Sequence, residues 1–313
     1  MQTSVIVPTF NGAAKIAETL EALYNQSFRD FETIVIIDGS TDNTIDVVNK
    51  FSGRLSNLVI EQQLNGGRSC ARNKGALLAS GKILVFLDDD IEVMQDNIEQ
   101  HVAFHQIRED SILVGNPILN EQKIGMDLFL NYRNYCEKKA VQNRGEGLSQ
   151  VSFQDYIFTT ANLSLPKELF FEIGKFDERI SDSEDFDFSL RVLLSGKKIF
   201  FNPNLKCYHN DFAGILITIK RQHQYYQSKR LLLRLHPEYK VLVPLQFQWL
   251  DDTIKDSIKS LVFKYRPLWE FFFKTNLFSR LHPSIRNFIF SSFIYTHSAL
   301  KVKRSNSKDE REV

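Results

Sequence analysis

The sequence has few cysteines and no excess of either charge, and each of these features argues against a class of protein. Its three cysteines, Cys70, Cys136 and Cys207, lie far apart. No two of them have the spacing of a zinc site, and an odd number argues against a disulfide framework. We therefore expect reduced thiols and a cytoplasmic protein. Lys and Arg number 39 against 38 Asp and Glu, which gives no overall reason to expect a nucleic-acid partner.

Long apolar runs are missing too. The N-terminus has no basic segment before its short apolar stretch, so we predict no signal peptide. The longest uncharged segment, residues 287–300, contains Ser, Thr, Asn and His. It is also shorter than the roughly 18 residues that a membrane-spanning helix needs. We therefore expect no transmembrane helix.

The two common glycine-rich phosphate loops are also absent. No G-x-G-x-x-G follows a predicted strand, and no G-x-x-x-x-G-K-[ST] occurs anywhere. This disfavours dinucleotide-dependent oxidoreductases and P-loop enzymes. A phosphorylated ligand would have to be held in another way.

What the sequence does have is an alternation of apolar runs and helical periodicity over its first hundred residues. The runs lie at residues 5–7, 33–37, 58–60 and 83–87. Helical spacing follows each of the first three, which predicts an α/β fold with a mostly parallel sheet flanked by helices. Right-handed crossovers place the carboxyl ends of parallel strands at one edge, where ligands of open α/β sheets bind.

Three consecutive carboxylates, Asp88, Asp89 and Asp90, end the fourth apolar run. Like charges so close together resist ionising at the same time, whereas a divalent metal with oxygen ligands relieves the repulsion. A metal held by Asp90 would neutralise a substrate diphosphate. The alternative is a solvated acidic loop that caps the next helix.

Five motifs in the chain resemble those of family 2 glycosyltransferases, in the same order and spacing. They are residues 5–11, residues 37–42, residues 65–67 with 71–75, residues 88–90, and Glu184 and Asp185 with Arg191. The resemblance covers about residues 3–210. It implies a GT-A fold, Rossmann-like, and metal-dependent, inverting transfer of a sugar from a nucleotide diphosphate. We expect a UDP-sugar donor, and a glycan or lipid-linked acceptor in polysaccharide or glycolipid assembly.

The resemblance also implies which residues bind the donor. They are Pro8, Thr9, Asn11, Asp38, Gly67, Arg72, Asp88 and Asp89. Asp38 would accept a hydrogen bond from the base, although it could instead cap a helix. The family often has two acids before this glycine, and Ile37 replaces the first of them here. Arg72 would contact the nucleotide or form a salt bridge with the acidic triplet.

Metal and catalytic residues follow from the same resemblance. Asp90 and His209 would hold Mn²⁺ or Mg²⁺, although a lone histidine is often only a polar or core residue. Asp185 would be the general base, with Glu184 as the second candidate. Both acids could instead belong to a first helical turn that the helix dipole favours. The acceptor side would be lined by Thr160, Asn162 and Arg191.

Two other functions and one other metal site have to be compared with this interpretation. A sugar-nucleotide pyrophosphorylase should have a Gly-rich, basic loop in place of residues 7–11. A sugar-nucleotide-binding protein without catalysis should lack the base, yet Glu184 and Asp185 are present. His101 and His105 share a helix face, but without a third ligand they do not predict a zinc site.

The last third of the chain changes character. We predict a GT-A domain over residues 1–213, with a nucleotide half to about 110 and an acceptor half over 111–213. A helical region, 214–304, and a disordered tail, 305–313, would follow. Residues 264–304 hold eight Lys or Arg but one acid, among many aromatics.

This composition has two interpretations. It fits a helix on an anionic membrane surface, which would place a cytoplasmic protein peripherally on the inner face of the plasma membrane. The alternative is a helical subdomain that buries its aromatics against itself or against a second subunit in a homo-oligomer.

Overall fold

The computed structural model describes residues 2–55, 57–154, 156–251 and 254–303. The chain divides into two compact units. The first, which we call the sheet unit, comprises Met1–Asn120 and Lys139–Asp211; the second, the helical unit, comprises Glu121–Lys138 and Phe212–Val313. The segment Glu121–Lys138, which the sequence analysis assigned to the first domain, is thus grouped with the helical unit. The predicted tail, 305–313, lies outside the described residues.

A mixed sheet forms the centre of the sheet unit. Its strands are β1 (Thr3–Thr9), β2 (Phe31–Asp38), β3 (Leu58–Gln63), β4 (Ile83–Leu87), β5 (Ile91–Val93), β6 (Ser111–Ile118), β7 (Ser149–Gln150), β8 (Asn162–Pro166) and β9 (Lys198–His209). Their order is β3-β2-β1-β4-β8-β6-β9-β5, and β7 also pairs with β9. The first four strands are parallel to one another, whereas β8 runs antiparallel to β4 and β6. The predicted α/β class and mostly parallel sheet are confirmed.

Helices make up most of the rest of the chain. In chain order they are α1 (Ile16–Tyr24), α2 (Thr44–Asn49), α3 (Gly67–Leu78), α4 (Asn97–Ile107), α5 (Glu121–Ile124), α6 (Leu128–Val141), α7 (Lys167–Glu172), α8 (Glu184–Leu194), α9 (Ile215–Leu235), α10 (Tyr239–Leu242), α11 (Ile254–Phe263), α12 (Arg266–Phe273), α13 (Asn276–Arg280) and α14 (Pro283–His297). None of the helices in the described ranges is both long and apolar enough to cross a bilayer.

Both faces of the central strands are buried, which explains why these strands are continuously apolar in the sequence. Side chains alternate between the two faces. Val5 and Val7 of β1 pack in one cluster with Leu20 of α1, whereas Ile6 packs in the other with Phe86 and Phe170. Covered on both sides in this way, the central strands form a rigid platform, and their carboxyl ends carry the polar groups described next.

Three strands of the sheet, β5, β6 and β7, were not predicted by the sequence analysis. β6 contains Gly115 and Pro117, which interrupt its apolar pattern, and its pairing with β9 shifts register between Val114 and Asn116. Pro and Gly inside a strand usually mark such an irregularity. β5 has three residues and follows the acidic triplet directly. This short strand positions His209.

Candidate active site

The pairing of β5 with β9 brings His209 to the acidic triplet, although 119 positions of chain separate it from Asp90. Ile91 lies opposite His209 in the antiparallel register, and the Asn210 amide donates to the Asp90 carbonyl at 2.8 Å. As a result, His209 Nε2 lies 3.3 Å from Asp90 Oδ1. Burial alone would lower the pKa of His209, but the hydrogen bond and charge of Asp90 outweigh that effect and raise it.

Asp90 and His209 offer two ligands of the kind that a divalent metal accepts. Among the described residues, no three His, Cys, Asp or Glu side chains gather closely enough to hold an ion alone. Mg²⁺ is usually held by one or two carboxylates, with substrate phosphates and water completing its shell. A pair of protein ligands at a strand end therefore fits a metal that is shared with a bound diphosphate.

Asp89, the middle acid, has two partners within the protein. Its Oδ2 accepts a hydrogen bond from Thr9 Oγ1 at 2.6 Å, and Lys15 Nζ lies 2.6 Å from its Oδ1. Lys15 Nζ is also 3.7 Å from Asp90 Oδ2. Burial raises the pKa of Asp89, against the opposing effects of Lys15 and Thr9. The sequence analysis missed Lys15, whose only sequence signal is a basic residue just before α1.

Arg72 joins the first acid of the triplet to α8. Its Nη2 donates to Asp88 Oδ1 at 2.7 Å, and its Nη1 donates to Glu184 Oε1. The Arg72 and Glu184 side chains are only 3% and 5% exposed. Of the two expectations for Arg72, the salt bridge is therefore present. The bridge brings a segment 112 residues away in sequence to the acidic triplet.

Asp185 follows Glu184 in the first turn of α8 and differs from it in its contacts. Its Oδ1 accepts a hydrogen bond from the Phe186 amide at 2.7 Å. Burial and the negative charge of Glu184 raise the pKa of Asp185 to about 7, and Arg72 opposes them only in part. A carboxylate with a near-neutral pKa is suited to taking a proton from a substrate hydroxyl.

Asp38 is buried at the end of β2 and holds the turn before α3. Its Oδ1 accepts hydrogen bonds from Gln63 Nε2 and from the Gly66 amide, and its Oδ2 accepts one from the Gly67 amide, all at 2.8 Å. Gly67 has φ +86°, a conformation that favours glycine. The carboxylate thus caps the start of α3, and Oδ2 can still accept a hydrogen bond from a base.

Three further predicted donor residues lie at the end of β1 or just after it. Pro8 and Thr9 are buried at the end of the strand, whereas Asn11 is exposed. Asn11 Oδ1 accepts a hydrogen bond from the Thr41 amide at 2.8 Å, and the Asn11 amide donates to Ser40 Oγ at 2.9 Å. These contacts tie the β1–α1 loop to the β2–α2 loop, so both loops lie at the same sheet edge as Asp38.

The three predicted acceptor residues make internal contacts instead of joining this cluster. Thr160 is buried, and Asn162 Oδ1 lies 2.8 Å from His101 Nε2 in the interior. Arg191 donates to the carbonyls of Ile173 and Lys175 at 2.6 and 2.7 Å. Their acceptor role stays a prediction.

His101 and His105 lie in the same interior and both contact Ser164 Oγ. Burial lowers the pKa of His101 to about 4 and that of His105 to about 3. Both imidazoles are therefore neutral at physiological pH, as members of a buried polar network.

Comparison with known proteins identifies the family of the chain. Residues 4–173, more than half of the chain, match the family model described as glycosyl transferase family 2. The chain belongs to this family. The glycosyltransferase activity predicted from the five motifs is thereby confirmed, whereas the pyrophosphorylase alternative is not supported.

Relatives and solved structures agree with family 2 membership. Glycosyltransferase GlyG of Streptococcus pneumoniae is 29% identical over 221 residues, which cover 69% of this chain and 73% of that protein. The amylovoran biosynthesis glycosyltransferase AmsB of Erwinia amylovora is 32% identical over 213 residues, which cover 66% and 69%.

Two solved structures share the fold. The S. aureus TarS 1–349 complex with UDP has a TM-score of 0.56 at 18% identity, covering 99% of this chain and 92% of that one. The mannosyltransferase PcManGT of Pyrobaculum calidifontis, in complex with GDP-Man and Mn²⁺, has a TM-score of 0.60 at 18% identity, covering 96% and 86%. The GT-A fold that the sequence motifs implied is confirmed for this family 2 glycosyltransferase.

Proposed function

We propose that this family 2 glycosyltransferase moves a sugar, with inversion, from a nucleotide diphosphate to a hydroxyl of a glycan or lipid-linked acceptor. A UDP-sugar is the expected donor, and Mn²⁺ or Mg²⁺ the expected cofactor. The observation that carries the proposal is the single charged cluster at the sheet edge. There Asp90 meets His209, Arg72 bridges Asp88 and Glu184, and Asp185 has a near-neutral pKa.

In this proposal Asp90 and His209 hold the metal. When bound, the ion neutralises the diphosphate and so stabilises the leaving group, which is worth several kcal/mol in comparable sites. Asp38 Oδ2 accepts an N–H of the base. The charge of Arg72 lowers the pKa of Asp88 against the effect of burial and so keeps Asp88 ionised.

Asp185 is the general base. As the acceptor oxygen attacks the anomeric carbon, Asp185 takes the hydroxyl proton while the bond to the diphosphate breaks on the opposite face. A positioned base contributes about 10²- to 10⁴-fold. Glu184 is the weaker candidate because its carboxylate is already bound to the Arg72 guanidinium.

Lys15 is a positioning residue for the donor diphosphate. Its ammonium is held by Asp89 and lies 3.7 Å from Asp90. It therefore offsets the charge of the triplet at the point where a metal would bind. With a metal at Asp90, the Lys15 ammonium would be available to the phosphate oxygens while Asp89 would keep it near the site.

The remaining parts of the proposal concern partners. The acceptor is a polysaccharide or glycolipid intermediate. Thr160, Asn162 and Arg191 support the acceptor side of the site through their contacts inside the fold. Independently of the transfer reaction, we propose contact with the inner face of the plasma membrane through 264–304, with a homo-oligomer as the alternative role of that region. Arg304 lies outside the described residues.

Calorimetry with UDP, with and without Mn²⁺, tests the donor site. We expect UDP binding to strengthen with the metal in the wild type, and to lose that metal dependence in Asp90→Ala. Asp46→Ala, which removes an exposed carboxylate from α2, is the matched control and should behave like the wild type. Equal metal-dependent affinity in Asp90→Ala would overturn the metal assignment.

A further inference from the structure

The helical unit divides its large apolar side chains into a buried group and an exposed group. Phe263, Phe278, Phe290 and Phe293 are each at most 4% exposed and pack together in the interior of the unit. This buried group fits a helical subdomain with its own core. The exposed group does not enter that core.

The exposed group lies on α11–α14 and the turns between them. We call it the apolar patch: Leu261, Tyr265, Leu268, Phe271, Leu277 and Phe288, each 60–78% exposed. Tyr265, Leu268 and Phe271 are spaced at i, i+3 and i+6, which places them along one side of α12 and its first turn. α12 packs on α13, and α11 packs on α14. Single exposed apolar residues are ordinary, but a concentration of this kind marks an interaction site.

A cavity of about 340 Å³ opens beside this patch, lined by Leu268, Trp269, Phe271, Phe272 and Thr275. Its size is at the lower end of the range of about 300–1,000 Å³ that is typical of ligand sites. Since nearly all of its lining is hydrocarbon or aromatic ring, the cavity suits an apolar chain better than a polar ligand.

Exposed cations lie on or between the same helices as the apolar patch. Lys264, Lys274 and Arg280 are exposed, and the single acid of the region, Glu270, forms a salt bridge with Arg266. A second copy of the chain is a poor occupant, because a two-fold interface would bring this basic surface against itself. An anionic surface with an apolar interior matches both features, since Lys and Arg can extend their charges to headgroups above buried side chains.

From these observations we propose that the apolar patch docks on a bilayer containing anionic phospholipid. Leu268 and Phe271 enter the boundary between headgroups and acyl chains, the cavity beside them receives part of one acyl chain, and Lys274 and Arg280 contact the headgroup phosphates. This docking needs no donor, metal or acceptor, so it stands or falls separately from the transferase proposal.

Vesicle co-sedimentation of the full chain tests the proposal, without nucleotide or metal. Binding should be strong to vesicles of phosphatidylcholine mixed with phosphatidylglycerol and weak to phosphatidylcholine alone. The double variant Leu268→Ser/Phe271→Ser should weaken binding by at least about tenfold. Its control, Leu245→Ser/Val241→Ser, removes side chains that are 66% and 82% exposed elsewhere in the helical unit, and should bind like the wild type.

Substitution of a basic side chain provides a second test in the same vesicle experiment. Lys274→Gln should weaken binding to the anionic vesicles by about fivefold, since a basic residue near such a surface contributes ~1 kcal/mol. Lys220→Gln, an exposed position on α9, should not. All replaced side chains are exposed, so unchanged melting temperatures are expected and confirm folding.

Three results would overturn the proposal. The first is equal binding to the two kinds of vesicle, and the second is wild-type binding by Leu268→Ser/Phe271→Ser. The third is a wild-type dimer in sedimentation velocity that the same double variant converts to monomer, because the patch would then be a contact between copies of the chain.

Discussion

Each of the two units contains an Arg–Glu ion pair, and the two pairs differ in how deeply they are buried. In the sheet unit, Arg72 and Glu184 are almost fully buried and paired with each other, whereas Arg266 and Glu270 of the helical unit form a pair that is 45% and 30% exposed. The helical unit exposes apolar side chains instead. The comparison shows that the buried Arg72–Glu184 pair lies where the proposed chemistry needs a fixed electric field, and the exposed apolar patch where we propose a lipid contact.

The sharpest test of this comparison concerns Asp185. We expect Asp185→Asn to lose about 10²- to 10⁴-fold in transfer rate, because an amide cannot take the acceptor proton. UDP affinity by calorimetry should stay at the wild-type value, and Asp46→Asn should affect neither quantity. Normal turnover in Asp185→Asn would remove Asp185 as the base.

The buried and exposed ion pairs can be compared directly. Arg72→Met should lower the free energy of unfolding by about 3–5 kcal/mol, because it leaves Glu184 buried without a partner. Arg266→Met should cost no more than about 0.5 kcal/mol, as for an exposed helix pair. Urea denaturation of the two variants measures the difference. Similar costs would show that burial does not distinguish the pairs.

The raised pKa of Asp185 predicts a pH dependence. Below pH about 7 the carboxyl is protonated in the folded protein, so kcat/KM should fall about tenfold for each pH unit below that value. For stability the sign is opposite. Because the folded protein binds this proton more tightly than the unfolded chain, whose pKa is near 3.8, stability from this group declines as pH rises from about 4 to about 7.

Rate profiles between pH 5 and pH 9, which span roughly the titration range of such a group, test this prediction. A kcat/KM that does not change through neutral pH would contradict it.

The smallest expected effect concerns Lys15. Lys15→Met should raise Mn²⁺ affinity in the absence of nucleotide by about two- to fivefold. The substitution removes an ammonium that competes with the metal for the carboxylates, and the strength of this competition is about that of a surface ion pair. UDP affinity should fall by a similar factor. Manganese binding followed by electron paramagnetic resonance, and UDP binding by calorimetry, separate the two effects. Lys50→Met, at an exposed site in the sheet unit, is the control, and weaker Mn²⁺ binding in Lys15→Met would refute this role.

Much of the sheet unit could be predicted because its signals are local. The apolar runs of β1–β4 end at turn residues, and the acidic triplet follows β4 directly. β6 was not predicted, because Gly115 and Pro117 interrupt its pattern. Lys15 was missed because a lysine before a helix belongs to no motif. The internal contacts of Asn162 and Arg191 depend on His101 and on the carbonyls of Ile173 and Lys175, which no local pattern reveals.

The sequence by itself determined the family, through its five motifs, and the parallel strands β1–β4 with the edge at which the polar residues gather, through periodicity and the order of strands and helices. Only the tertiary structure decided which acids are neutralised. Arg72 forms salt bridges with Asp88 and Glu184 rather than with Asp185, and His209 contacts Asp90. Electrostatic interactions depend on distances of a few Å and on burial. Both are set by tertiary contacts, and two of these, Arg72 with Glu184 and His209 with Asp90, join segments more than a hundred residues apart.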